Sequence, residues 1–251
     1  NSGQYQTAIL NEYFAIDMMS IWNSSNFGTN WTEQTSFENT NLKDFAMNGN
    51  GSIMLISFED TFSSFFVFKS LDYGETWSDT NLASFEAHVA VSDSGVYQTV
   101  VFMNGIIRTS NDTGATWYDT SINETHNWWK IVMNNNGSVQ MAIDLANFGN
   151  GYIWKSIDYG SNWVRINQSK HWVDMAISGT GQYQTAITKD YDTPTESQIW
   201  RSEDYGTTWV EDTYIQTITG SAVDVNAIAM NENGTIQTIV VDDGFILRGV
   251  P

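Results

Sequence analysis

One short stretch recurs five times and limits what this chain can fold into. Its cleanest copies read Ser70-Leu71-Asp72-Tyr73-Gly74-Glu75-Thr76-Trp77 and Ser202-Glu203-Asp204-Tyr205-Gly206-Thr207-Thr208-Trp209. Segments 110–117 and 156–163 match closely, with Asp112, Gly114 and Trp117 in one and Asp158, Gly160 and Trp163 in the other. Segment 24–31 is a degraded copy, with Asn26, Gly28 and Trp31. The shared pattern is Ser-x-Asp-x-Gly-x-(Thr/Asn)-Trp, and its tryptophans are spaced 46, 40, 46 and 46 residues apart.

A second signature runs between these copies and occurs six times, at 3–9, 51–57, 95–101, 137–143, 181–187 and 234–240, most often as Gly-x-x-Gln followed by apolar residues. Together the two signatures divide each repeat into four short β segments bounded by Gly, Asn, Asp or Ser. In the fourth repeat, strand A is expected from Trp128 to Asn134, strand B from Ser138 to Asp144, and strand C from Tyr152 to Ser156. Strand D is expected to begin at Trp163. The motif is then the reversal between strands C and D. Its glycine supplies positive φ, its aspartate accepts backbone N–H groups across the turn, and its tryptophan offers a broad apolar face for packing between units. The repeated aspartates are therefore expected to make turns rather than to act as catalytic acids.

Four-stranded units repeated every ~40–45 residues imply an all-β propeller. The expectation is six blades, at about 1–33, 34–79, 80–119, 120–166, 167–212 and 213–251, with five as the lesser alternative. The chain opens on a segment that aligns with strand B and closes on one that aligns with strand C. Ring closure is thus expected to use a last strand D and a first strand A from elsewhere. They would come from further sequence of the same protein, or from a donor strand or another copy by strand exchange, which would build a fibre.

Composition narrows the partners. Ten basic residues stand against 29 acidic ones, a net charge of −19. Such a surface repels nucleic-acid phosphates and anionic lipid. No apolar run approaches the ~20 residues of a membrane-spanning helix. With no cysteine in the chain, disulfides, zinc–thiolate sites and thiol nucleophiles are excluded. The three histidines, His88, His126 and His171, lack metal-ligand spacing, and no phosphate loop or nucleophile elbow is present, so neither metal nor cofactor is expected. Eight Asn-x-Ser/Thr sequons occur, at Asn23, Asn30, Asn50, Asn111, Asn123, Asn136, Asn167 and Asn233. They point to a glycosylated protein that is extracellular or at a cell surface. The first residue is Asn1, and a processed or trimmed N-terminus is expected.

The eight-residue motif resembles the Asp-box, or BNR repeat, of sialidases, sortilin-type receptors, xyloglucan-degrading hydrolases and a photosystem assembly factor. The resemblance covers essentially the whole chain and implies a propeller. It does not imply one function, because these families do unrelated things on the same scaffold. A sialidase would need three converging arginines, a tyrosine nucleophile with a glutamate partner, an acidic aspartate and a Phe-Arg-Ile-Pro-like stretch, and none is found. Instead Arg201 and Arg248 fall just before the motif serine or its equivalent, where Lys69 and Lys155 also lie, and Arg108 falls one residue earlier.

Two function classes follow. One is a non-enzymatic structural, adhesion or binding protein. The other is a glycan-active enzyme or glycan-binding module, for which paired acids at Glu59-Asp60 and Asp190-Tyr191-Asp192 are candidates. Aromatic residues expected near the rim, Trp128, Trp129, Trp172 and Tyr191, are candidates for stacking on glycans, with packing between blades as the alternative.

Overall fold

A computed structural model describes residues 3–12, 18–82, 85–122, 124–145, 149–166, 168–189, 197–212, 224–241 and 246–249. Among these there is no helix. The described residues form 22 strands in antiparallel sheets that follow one another in sequence. It divides into two compact units, Asn1–Trp128 and Trp129–Pro251. The candidate positions Asn123, Asn167, Tyr191, Asp190 and Asp192 lie outside the described residues.

The first unit holds three sheets. β1 (Gln6–Glu12), β2 (Met18–Ser24) and β3 (Thr32–Glu38) make a three-stranded sheet. β4 (Thr40–Met47), β5 (Met54–Asp60), β6 (Phe65–Ser70) and β7 (Ser78–Asp79) make the second, in sequence order. β8 (Ala87–Val91), β9 (Gln98–Phe102), β10 (Ile107–Ser110) and β11 (Tyr118–Asp119) make the third. The first outer strand, β3, runs to Glu38, past the blade boundary expected at 33. A single residue, Asn39 at φ 55°, then turns the chain into β4, a backbone state that asparagine tolerates better than most side chains. Burial is deepest in the second strands of the second and third sheets, where the first five residues of β5 and all five of β9 are inside. The outermost strands β7 and β11 are short and exposed.

The second unit repeats the plan. β12 (Trp128–Met133), which begins at the boundary, β13 (Gln140–Asp144), β14 (Tyr152–Ser156) and β15 (Val164–Arg165) form one sheet. β16 (Trp172–Ile177), β17 (Gln184–Lys189), β18 (Ser197–Ser202) and β19 (Val210–Asp212) form the next. β20 (Val225–Met230), β21 (Gln237–Val241) and β22 (Ile246–Gly249) form a three-stranded sheet. The fourth repeat departs from its expected strands at one point of substance. β13 starts at Gln140 rather than Ser138, because the Asn136 side chain accepts the Ser138 amide at 2.9 Å and keeps that segment in the turn.

The core lies between successive sheets. Phe58, Ile56, Met19 and Ile21 are buried between the first and second sheets, with Phe37, Phe68 and Trp77 packed against them. Leu55, Val67, Val89, Val100 and Phe102 fill the space between the second and third, joined by Trp117. In the second unit Trp172, Trp209, Met141 and Ile143 share one cluster, while Ile187, Ile199, Ile228 and Ile239 share another.

Polar ties run across the same interfaces. Asp44 and Asp174 each sit at a β-bulge in a first strand. Each accepts an amide from the first strand of the next sheet, Val89 N at 3.0 Å and Ile228 N at 2.9 Å. The A–B turns are also joined directly, Gly49 N to Asp93 O at 3.0 Å and Asn135 N to Gly179 O at 3.0 Å.

A buried glutamine binds the two turns of a sheet together. Gln98, at the start of β9, donates to the Gly95 carbonyl in the A–B turn at 3.1 Å. Its Oε1 lies where a Cβ on Gly114 would stand, 2.5 Å away, and Gly114 has φ +71°. In the second sheet Met54 replaces this glutamine, and a Cβ on Gly74 would meet nothing closer than 3.5 Å. Both glycines pay the left-handed cost of roughly 1–2 kcal/mol on substitution, but only Gly114 must also displace a buried hydrogen-bonded amide, adding about 1 kcal/mol. Gly114→Ala is therefore expected to destabilise more than Gly74→Ala, by roughly 1 kcal/mol, in urea unfolding of the two variants. Equal losses would show that the glutamine contact contributes nothing.

Candidate functional site

The repeated motif is the obvious place to look for chemistry, and its atoms are fully committed to the turn. In the second repeat Ser70 Oγ donates to Asp72 Oδ1 at 2.8 Å and accepts the Gly74 amide at 2.8 Å. Asp72 Oδ1 also accepts the Thr76 amide at 2.9 Å, and its Oδ2 takes the Thr76 hydroxyl at 2.5 Å. Asp112 and Asp204 make the same bonds to Thr116 and Thr208, and Asp158 makes them to the Asn162 amide and side chain. The tryptophan closes the ring of contacts, with Trp77 Nε1 donating to the Gly74 carbonyl at 3.0 Å, Trp163 to Gly160 at 2.8 Å and Trp209 to Gly206 at 3.3 Å. The degraded copy keeps this geometry: Asn26 Oδ1 accepts the Asn30 amide at 2.9 Å, and Trp31 reaches Gly28 O at 3.0 Å. Trp31 remains 39% exposed where Trp163 and Trp209 are buried.

The electrostatics follow from these bonds. The hydroxyl and amide of Thr116 hold Asp112 down at about 2, and the amide and hydroxyl of Thr208 do the same for Asp204. For Asp72 and Asp158 burial pushes upward, but the donors at Thr76 and Asn162, with the motif serines, leave both below the ordinary 3.8. A catalytic acid needs a pKa raised toward the working pH, and these groups move the other way.

The basic residues beside the motif are also engaged. Lys69 Nζ donates to the Gly114 carbonyl of the next repeat at 2.6 Å, and Lys155 Nζ reaches Thr207 Oγ1 of the next at 3.3 Å. Arg201 instead pairs with Asp212 of its own sheet at 2.6 Å. Arg108 falls one residue out of this register, opposite Asp119, with which it pairs at 2.9 Å. Asn23 holds the equivalent position in the first repeat, and its Nδ2 donates to the Tyr73 carbonyl of the second.

The remaining candidates separate by burial. Trp128 and Trp172 are 0% and 1% exposed, which corrects their placement at a ligand rim: alternation along β12 turns Trp128 inward and leaves the neighbouring Trp129 37% exposed. Glu59 pairs with Lys43 at 3.0 Å, and Asp60 caps its own loop by accepting the Phe62 and Ser64 amides. His88 faces Asp44 at 3.5 Å, and His126 lies beside Trp128. Burial, foremost, lowers the pKa of His171. Among the described residues no group of three or more His, Asp or Glu side chains is arranged to hold a metal, and no helix is long and apolar enough to cross a membrane.

Of the sequons, Asn30, Asn50, Asn111, Asn136 and Asn233 are exposed. In the A–B turns Asn50, Asn136 and Asn233 use Oδ1 to accept from the residue two positions on, an interaction in which Nδ2, the atom that carries a glycan, takes no part. Asn23 is different. Its Oδ1 accepts from Thr7 at 2.8 Å while its Nδ2 is held by Tyr73, so its expected role as a glycan acceptor gives way to a structural one.

A groove of about 300 Å³ lies in the first unit, bordered by Tyr5, Asn23, Gln34, Met54, Tyr73 and Glu75. Sequence reasoning missed it, because it arises from two repeats abutting where both depart from the pattern. Met54 standing in for glutamine was the available signal.

A family model described as the BNR-Asp box repeat matches residues 21–35 and 199–213. The chain carries BNR Asp-box repeats on a β-propeller fold. No curated protein matches it in sequence. Among solved structures, the GH74 enzyme of Niastella koreensis superposes with a TM-score of 0.73 at 14% identity, over 98% of this chain and 43% of that one. The nidogen/laminin complex gives 0.61 at 11% identity over 98% and 89%, and YCF48 bound to D1 peptide gives 0.51 at 14% over 99% and 97%. The chain thus spans less than half the length of the GH74 enzyme. At such identities the likeness is one of fold.

The depressed carboxylates make a pH prediction. A group whose pKa is lower folded than unfolded stabilises the fold in full above its unfolded pKa, and that contribution is lost as pH falls through the folded pKa. For Asp112 and Asp204 the window runs from about 4 down to about 2. Thermal unfolding followed across that range should show Tm falling more steeply in the parent than in Asp112→Asn/Asp204→Asn. Parallel curves would mean that these turn bonds do not favour the ionised form.

Proposed function

We propose that this chain is a non-enzymatic extracellular binding or adhesion protein, N-glycosylated at its exposed turn sequons. The observation that carries the reading is the commitment of every intact motif aspartate to both its serine and the residue four positions on. The most repeated acids in the chain are thereby spent on architecture, and what repetition leaves exposed is a set of turns. Three of those turns present an Asn-Gly-Ser/Thr sequon with the amide nitrogen outside the turn bond. Support from the scaffold is general: one neighbouring structure is a nidogen/laminin complex and another is bound to a peptide, so this fold carries binding faces in both.

The GH74 likeness favours a second reading, a glycan-active enzyme. The two separate in one preparation. Protein secreted from eukaryotic cells should lose mass on glycosidase treatment, Asn50→Gln, Asn136→Gln and Asn233→Gln should each remove one step of that loss, and Asn23→Gln should remove none. The same protein incubated with β-glucans should release no reducing ends. Sustained release would establish the enzyme instead, and an unchanged mass would remove the glycosylation.

A further inference from the structure

A residue that breaks a recurring structural contact marks a place with another use. One such break lies between the first and second sheets. At the head of strand B the repeat residue is a buried glutamine, as in Gln98, Gln140, Gln184 and Gln237, but the second sheet has the apolar Met54, which cannot make the glycine carbonyl bond of Gln98, Gln140 and Gln184. Facing the same Gly74, Asn23 stands at the position of Lys69 and Lys155 and ties to the next repeat through a shorter side chain. The groove of about 300 Å³ opens at this junction. That is the lower end of the size range of small-ligand sites.

The lining has a definite chemistry. Tyr5 from the first sheet and Tyr73 from the second stand 5.9 Å apart between ring centroids, inclined at 37°, and form an open aromatic corner. Tyr73 is 43% exposed, at the positive-φ position that the motif turn also gives Tyr159 and Tyr205; what sets it apart is the second ring beside it. Gln34 and Glu75 also line the groove, beside Asn23, whose own amide is spent on Thr7 and Tyr73. Side-chain amides and a carboxylate donate to and accept from hydroxyl groups, and aromatic faces take the C–H faces of pyranose rings. The net charge of −19 opposes an anionic ligand.

We infer that the groove between the first two sheets is a binding site for a neutral oligosaccharide, seated on Tyr5 and Tyr73. This rests on the reading of the chain as a binding protein and names the ligand class and the place. It uses none of the acids of the motif turns.

The test is titration of the whole chain with cellopentaose, maltopentaose and mannopentaose, and with a pentagalacturonate as the charged comparator, by calorimetry and ligand-observed NMR. At least one neutral pentaose should bind and the charged one should not. Tyr73→Gly keeps the turn, because glycine suits φ 62°, and should weaken binding about tenfold through the lost stacking. Tyr205→Gly makes the same change in another motif copy, one that does not line the groove, and should leave affinity unchanged. Binding that survives Tyr73→Gly would overturn the site while leaving the binding-protein reading in place. If no neutral pentaose binds, the inference fails, whereas reducing-end release from these sugars would overturn the underlying reading itself.

Discussion

The hydrogen-bonded C–D turn is the interaction on which the remainder of the structure depends. It brings two consecutive residues to positive φ, as in Tyr73 at 62° and Gly74 at 81°. For the tyrosine this costs roughly 1–2 kcal/mol. The serine and aspartate supply four bonds within eight residues, each contributing about 0.5–1.5 kcal/mol. The bonds win, and because they are local the turn holds its shape without help from the outermost strand. That explains why strands as short as β7, β11 and β15 suffice: the turn rather than the ladder fixes where strand D begins.

Once formed, the turn is a tool for joining one sheet to the next. Its glycine carbonyl accepts from its own tryptophan in Gly74, Gly160 and Gly206, whereas the Gly114 carbonyl accepts from Lys69 of the preceding repeat. Its glycine Cα is covered by the strand-B glutamine, whose other end is bonded to the A–B turn. The A–B turns in their turn bond across the interface. Strand A adds a separate tie through Asp44 and Asp174, whose carboxylates receive amides from the neighbouring sheet. Polar groups therefore set the registration between sheets, while the apolar clusters supply the burial. Apolar packing alone is tolerant of small slides, whereas an amide-to-carboxylate bond is lost within a fraction of an ångström.

Much of this was legible from the residues alone, and what was not has a common cause. Spacing and turn chemistry placed the strands of the fourth repeat within a residue or two, because both signals are local. β14 spans Tyr152–Ser156 as the pattern requires. The roles of Gln98, Lys69 and Asn23 were hidden, because each acts on a segment brought near only by the stacking of hairpins. Asn23 illustrates the difficulty, since Asn-x-Ser is a valid acceptor pattern and nothing nearby in sequence announces that Tyr73, fifty residues on, holds its amide. The adjacent tryptophans 128 and 129 show the reverse. Strand alternation required one to be buried, but choosing Trp128 needed the packing.

Repetition also changes what an exception means. In a chain without repeats, Met54 would be one more buried methionine and Asn23 one more polar strand residue. Beside Gln98, Gln140 and Gln184, which all make the same glycine carbonyl bond, Met54 forgoes a contact the scaffold uses elsewhere. The same sheet keeps its motif intact, with Asp72, Thr76 and Trp77 in full geometry, so the departure is confined to the groove side of the turn. A loss of structural bonding that stops where a concavity begins, and that leaves two tyrosines standing at its edge, is a local trade of stability for surface. Functional sites are where such local inconsistency is tolerated, and in this fold the neighbouring repeats supply the standard against which it is measured.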